Sequence, residues 1–178
     1  MSRVAAVVLA AGAATRFGSA KQELLLPRVL ERLEGAPVDE IVVVEGAHPL
    51  REGALRGLPR LVRCPGWADG PGTSLRCGLA TLGDDVEAAV VVLADGPRLA
   101  PAALGRVVAS WRADGGNVVA ASYGGTRGHP LLVARDAWAS IPDDGLRLVE
   151  PRLVACDDLG DPGDVDTPAD LAALDDAG

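Results

Sequence analysis

Short aliphatic runs alternating with helix-compatible stretches constrain this chain more than any other feature of its sequence. The runs Val4–Leu9, Ile41–Val44, Leu61–Arg63, Ala88–Leu93 and Val118–Ala121 are close to continuously apolar. Continuous runs belong to strands buried on both faces, as in a parallel sheet covered by helices. Between them, Arg28–Leu33, Leu50–Leu58, Ser74–Leu82 and Pro101–Arg112 carry apolar residues at helical spacing. Pro101 suits the first turn of a helix, where its missing N–H would have no partner anyway. This alternation predicts a three-layer α/β/α fold with a mostly parallel, Rossmann-like sheet. After Ser122 the pattern changes: Leu131–Val133 and Leu153–Ala155 read as extra or antiparallel strands, and Pro168–Leu174 as a closing helix capped by Thr167. A chain of 178 residues accommodates all of this as one domain over 1–178.

Charge and cysteine usage remove several classes of function. The formal net charge is -8, whereas a nucleic-acid or anionic-membrane partner calls for a basic face that neutralises phosphates. Contact with phosphate must therefore be local. Cys64, Cys77 and Cys156 are odd in number and form no C-x-x-C pair, so they indicate neither a disulfide framework nor a zinc site. No apolar run approaches the roughly 20 residues of a membrane helix, and the expected location is the cytoplasm.

Lys21 is the only lysine in the chain, against sixteen arginines. A compact ammonium and a planar guanidinium are not equivalent against a phosphate, so a lone lysine kept in an arginine-rich chain marks a position where the guanidinium will not serve. Lys21 closes the stretch Ala10–Lys21, in which a strand breaks into small residues, Gly12 among them, and two cations, Arg16 and Lys21. Backbone amides in such a turn can approach a nucleotide closely while the cations neutralise its phosphates. The stretch is neither G-x-G-x-x-G nor G-x-x-x-x-G-K-[ST], which argues against a dinucleotide turn and a P-loop.

Ligands of open α/β sheets sit beyond the carboxyl ends of the strands, and three further segments fall there. Gly66–Arg76 is glycine-rich and opens a helix; Gly70 and Ser74 are its candidate nucleotide contacts. Val90–Pro97 is an apolar strand ending in Asp95-Gly-Pro, and Asp164–Pro168 offers a second carboxylate, Asp166. Two neighbouring carboxylates repel unless they share a cation, and Mg2+ is a hard cation suited to them and to substrate phosphates. Gly128-His129-Pro130 places a histidine beside a turn, a candidate for substrate positioning, whereas His48, also followed by proline, reads as structural.

Five segments in order, LAAGAATRFGSAK at Leu9–Lys21, GWADGPGTSL at Gly66–Leu75, LADGP at Leu93–Pro97, GTRGHPLL at Gly125–Leu132 and DVDTPADL at Asp164–Leu171, resemble the MobA-like molybdopterin nucleotidyltransferases. The likeness is strongest to the molybdenum cofactor cytidylyltransferase branch. It implies a fold of the nucleotide-diphospho-sugar transferase type and a triphosphate held by Leu9, Ala10, Ala11, Gly12, Arg16 and Lys21. It implies Mg2+ on Asp95 with Asp166, an acceptor near Gly128, His129 and Pro130, and Lys21, Arg16 and Asp95 as the catalytic groups. Ala11, where guanylyl-transferring relatives commonly carry glycine, leans the base toward cytosine, hence CTP. The implied acceptor is molybdopterin, and a molybdoenzyme or maturation partner is the implied recipient of the product.

Two segments depart from the family pattern. Leu24-Leu25-Leu26-Pro27 runs straight into Arg28, so the loop that usually follows is several residues short. Ile141–Asp158 keeps Asp144-Gly145 and Arg147 of a G-D-x-G-x-R pattern but has Asp143 at its first glycine. Competing readings are a guanylyltransferase or other transferase with a different phosphorylated acceptor, an NAD(P)H-dependent oxidoreductase, and a nucleotide- or cofactor-binding protein without catalysis.

Overall fold

The computed structural model describes residues 2–12, 21–50, 55 and 59–176. Among them, seven strands form one sheet: β1 (Arg3–Ala10), β2 (Glu40–Glu45), β3 (Arg60–Arg63), β4 (Val86–Leu93), β5 (Val118–Tyr123), β6 (Thr126–Ala134) and β7 (Arg152–Ala155). The order across the sheet is β3-β2-β1-β4-β6-β5-β7. β1 pairs in parallel with β2 and β4, β2 with β3, and β5 with β7. β6 runs antiparallel to both β4 and β5. The mostly parallel sheet is as expected. Of the two late strands, β6 is the antiparallel one and β7 extends the edge in parallel.

Four helices are seen among the described residues: α1 (Lys21–Leu33), α2 (Pro71–Leu79), α3 (Pro101–Asp114) and α4 (Pro168–Asp176). Successive strand residues point to opposite faces, and the two faces of β1 build two cores. Val4, Ala6 and Val8 pack with Leu26, Val29, Leu30 and Leu33 of α1 and with Leu104, Val107 and Val108 of α3. Ala5 and Val7 pack with Leu75 and Leu79 of α2. These are the three layers that the sequence predicts. The expected helix over 50–58 lies outside the described residues apart from Leu50 and Leu55.

Two helices begin earlier than their sequence-based bounds. α1 begins at Lys21 rather than Arg28 and carries Pro27 inside it. An interior proline costs about 3 kcal/mol, but Leu25, Leu26, Val29 and Leu30 are nearly or wholly buried on one face. At about 1.5–3 kcal/mol for each such side chain, their burial outweighs the proline. α2 begins at Pro71, so half of the expected glycine-rich loop is already helix. Gly78 lets α2 lie directly on the sheet: a Cβ there would fall 2.8 Å from side-chain carbons of Val7 and Val44.

Cys64 and Cys77 form a disulfide, with their Cα atoms 5.7 Å apart, which corrects the expectation that none forms. A separation of 13 residues carries no pairing signal by itself; the bond exists because α2 folds back against the end of β3. Cys156 is free and buried. Thr167 caps α4 as expected: the Asp170 N–H donates to Thr167 Oγ1 at 3.2 Å and the Thr167 N–H donates to the Asp170 carboxylate at 2.8 Å. Among the described residues, no helix is long and apolar enough to cross a membrane.

Candidate active site

β1 and β4 are adjacent and parallel, so their carboxyl ends lie side by side. The Ala94 N–H donates to Leu9 O at 3.1 Å, fastening the two exits together. Because β6 is antiparallel to β4, with Val91 opposite Leu131, the start of β6 comes to the same edge and brings Gly128 and His129 with it. The segment before α4 joins them: the Val165 N–H donates to Asp95 O at 3.0 Å. Asp166 thereby reaches Asp95 across the length of the chain.

Lys21 occupies the centre of this convergence. As the first residue of α1, its Nζ lies 3.2 Å from Asp95 Oδ2 and 3.1 Å from Asp166 Oδ1. The lysine side chain is 8% exposed, Asp95 34% and Asp166 51%. A buried ammonium is stable only with such partners, and two carboxylates stand together only with a shared cation. The cation between them here is the ammonium of Lys21. Both carboxylates direct an oxygen at one point, a hard-oxygen pair of the type Mg2+ accepts along with water and phosphate oxygens, so these residues fit such an ion. Burial, reinforced by the charges of Asp95 and Asp166, pushes the Asp164 carboxyl above its ordinary range. Arg16 lies outside the described residues.

Two neighbouring cavities, among those that open on this edge of the sheet, hold the expected site residues. One, of about 330 Å3, is lined by Leu9, Ala11, Gly12, Gly70, Ser74 and Asp95, together with Gln22 and Trp67. The expected nucleotide contacts from two distant segments therefore face one space, while Ala10 is buried beneath it. Its wall depends on Gly46, where a Cβ would fall 2.6 Å from Trp67 Cβ and 2.7 Å from Ala11 O. The other, of about 550 Å3, is largely apolar, with Leu9, Leu75, Val91, Leu93, Leu131 and Leu146 along its walls. Gly128, His129, Asp144, Gly145 and Arg147 supply its polar groups. Leu9, Gly70, Pro71 and Leu93 line both cavities, so the two are neighbours. Pro130 is buried beneath the second one.

His129 is held by its backbone: the Tyr123 hydroxyl donates to His129 O at 2.9 Å. Its Nδ1 is buried without a hydrogen-bond partner among the described residues, and burial pushes the imidazole below its ordinary pKa.

Several residues of the site gave no signal in the sequence. The turn after Ile141 is clamped onto the start of α2. The Gly72 N–H donates to Asp143 O at 2.8 Å, Arg76 Nη1 donates to Ile141 O at 2.5 Å, and Arg76 also pairs with the Asp143 carboxylate. A Cβ at Gly72 would fall 1.7 Å from Pro142 O, and one at Gly70 would fall 2.2 Å from Asp143 O. From the other side, Arg127 donates to the carbonyls of Leu146 and Val149, each at 2.7 Å. The remnant Asp144-Gly145 and Arg147 pattern was the available sequence signal for this wall. Gln22 and Trp67 offered none beyond their positions beside Lys21 and Gly66.

Residues 6–148 match the MobA-like NTP transferase domain. The chain belongs to this family. It is a nucleotidyltransferase. Among solved structures, a homolog of Rv0371c from mycobacterium sp. strain JC1 is 29% identical over 98% of this chain and 96% of its own, with a TM-score of 0.80. Rv0371c from Mycobacterium tuberculosis H37Rv is 27% identical over 97% of each chain, with a TM-score of 0.77. Its complex with manganese gives 24% identity over 99% and 100% of the two chains, with a TM-score of 0.76. The fold alone is shared with CMP:2-keto-3-deoxy-manno-octonic acid synthetase complexed with CTP, at 15% identity over 99% and 98% of the chains and a TM-score of 0.78. No curated protein matches the chain.

Proposed function

We propose that this MobA-like NTP transferase moves CMP from CTP onto the terminal phosphate of molybdopterin, releasing pyrophosphate. The observation that carries the reading is Lys21 between Asp95 and Asp166, 3.2 and 3.1 Å from their oxygens, at the rim of a cavity lined by Ala11, Gly12, Gly70 and Ser74. An acceptor phosphate oxygen attacks the α-phosphorus of the nucleotide in line, the new P–O bond forms and the bond to pyrophosphate breaks. No general base is needed, because the attacking oxygen is already anionic. Such transfer is governed by positioning and charge neutralisation.

In this reading the smaller cavity takes the nucleoside and the larger, mostly apolar one takes the acceptor against Gly128 and His129. Lys21 exchanges its carboxylate partners for the α-phosphate and the leaving pyrophosphate as the triphosphate arrives, and Arg16 adds a second positive charge. Asp95 and Asp166, released from the ammonium, would hold Mg2+, which when bound supplies charge neutralisation along the triphosphate. Manganese in the complex of Rv0371c supports a divalent ion for this chain, and CTP in the synthetase of like fold supports cytosine.

Thermal stabilisation by CTP, GTP, ATP, UTP and NADPH, each with and without Mg2+, tests the reading. A ligand at 100 times its Kd adds about 2.7 kcal/mol. The expected result is a Mg2+-dependent shift with CTP that is lost in Asp95→Asn, followed by CMP transfer to molybdopterin. A shift with NADPH and none with any triphosphate would overturn it.

A further inference from the structure

Gln22 is among the few polar side chains buried in this protein, 9% exposed. It stands next to Lys21 at the start of α1 and lines the smaller cavity. Its two amide ends are in opposite situations. Nε2 donates to Gly12 O at 2.9 Å, whereas Oε1 is buried with no hydrogen-bond partner among the described residues. The assignment of the two ends is fixed by chemistry: a carbonyl oxygen only accepts, so the amide nitrogen must face Gly12 and the amide oxygen must face away. A buried acceptor without a donor costs about 1–3 kcal/mol. Orphans of this kind are few in native proteins and call for an explanation, such as a ligand.

We infer that Gln22 Oε1 is a specificity group that accepts a hydrogen bond from the nucleoside part of the bound nucleotide. The inference rests on the nucleotide reading of the smaller cavity and goes further by naming which part of the nucleotide lies at Gln22. A phosphate oxygen is itself an acceptor and would be repelled there, so the triphosphate tail lies toward Lys21 and the nucleoside end meets the amide. Two groups of a nucleoside can donate: an exocyclic amino group of the base and a hydroxyl of the ribose. If the partner is the amino group, Gln22 selects against uracil, which presents a carbonyl at the position where cytosine presents its amine. A site whose buried polar group is left unpaired discriminates strongly against the analogue lacking the donor.

The experiment is calorimetric titration of wild type and Gln22→Met with CTP, UTP and 2′,3′-dideoxy-CTP in the presence of Mg2+. If the donor is the base amine, UTP binds at least about tenfold more weakly than CTP and the dideoxy analogue binds like CTP. If it is the ribose, UTP matches CTP and the dideoxy analogue is the one weakened. In both cases Gln22→Met, of similar shape without the acceptor, closes the gap. Equal affinity of wild type for all three, or a gap that persists in Gln22→Met, overturns the inference while leaving nucleotide binding intact. Failure of wild type to bind any of the three overturns the nucleotide reading and the inference with it. Equal affinities across the wild-type series overturn the inference even where the variant fails to fold.

Discussion

At the scale of single residues, this protein concentrates its unusual chemistry where a lone lysine meets two carboxylates. An ammonium is a point charge that can sit equidistant from Asp95 and Asp166 and then pivot to a phosphate. A guanidinium in the same 8% exposed slot would be fixed as a planar fork against the carboxylates. Lys21→Arg is therefore expected to lower kcat about a hundredfold, or roughly 2.7 kcal/mol of transition-state stabilisation, while changing nucleotide affinity much less. Steady-state rates with the nucleoside triphosphate and its acceptor, beside a direct titration of the nucleotide, separate the two effects. A near-normal kcat in Lys21→Arg would remove Lys21 from the transfer step.

At the scale of elements, the start of α2 and the turn after Ile141 form one mechanical unit. The Gly72 amide, the Arg76 guanidinium and the Asp143 carboxylate tie them together, with no room for a side chain at Gly72. The start of α2 borders both cavities through Pro71, and the turn borders the larger one through Asp144 and Gly145. A methyl group at Gly72 must displace backbone rather than a flexible side-chain tip. Gly72→Ala is therefore expected to cost about 1–3 kcal/mol of stability and to raise the KM of both substrates. Urea unfolding measures the first and initial rates the second; a variant with unchanged stability and kinetics would show that the two elements are not rigidly coupled.

At the scale of the whole molecule, the sheet edge of β2 and β3 is joined to α2 by the disulfide Cys64–Cys77, which encloses residues 65–76. Closing a loop of about 15 residues is worth roughly 3 kcal/mol in the chain-entropy account. Cys77→Ser is therefore expected to lower unfolding stability by about 2–4 kcal/mol under oxidising conditions. In excess reductant, wild type and variant should unfold alike; a difference that persists there would assign the effect to packing at Cys77 instead. The alternation of aliphatic runs and helical spacing was enough to determine the layered α/β architecture and the strands β1, β2 and β4, because burial on both faces leaves a continuous apolar signature. The order of Leu9–Lys21, Gly66–Leu75, Leu93–Pro97 and Asp164–Leu171 likewise marked the loops that meet, since ligands of such sheets gather at the strand ends. Tertiary structure alone decided that β7 is parallel, that α1 starts at Lys21 in spite of Pro27, that Cys64 and Cys77 are bonded, and that Gln22 turns an unpaired oxygen inward. Each of these depends on contacts between residues distant in the chain or on the direction of a side chain, and neither leaves a period or a motif in the sequence.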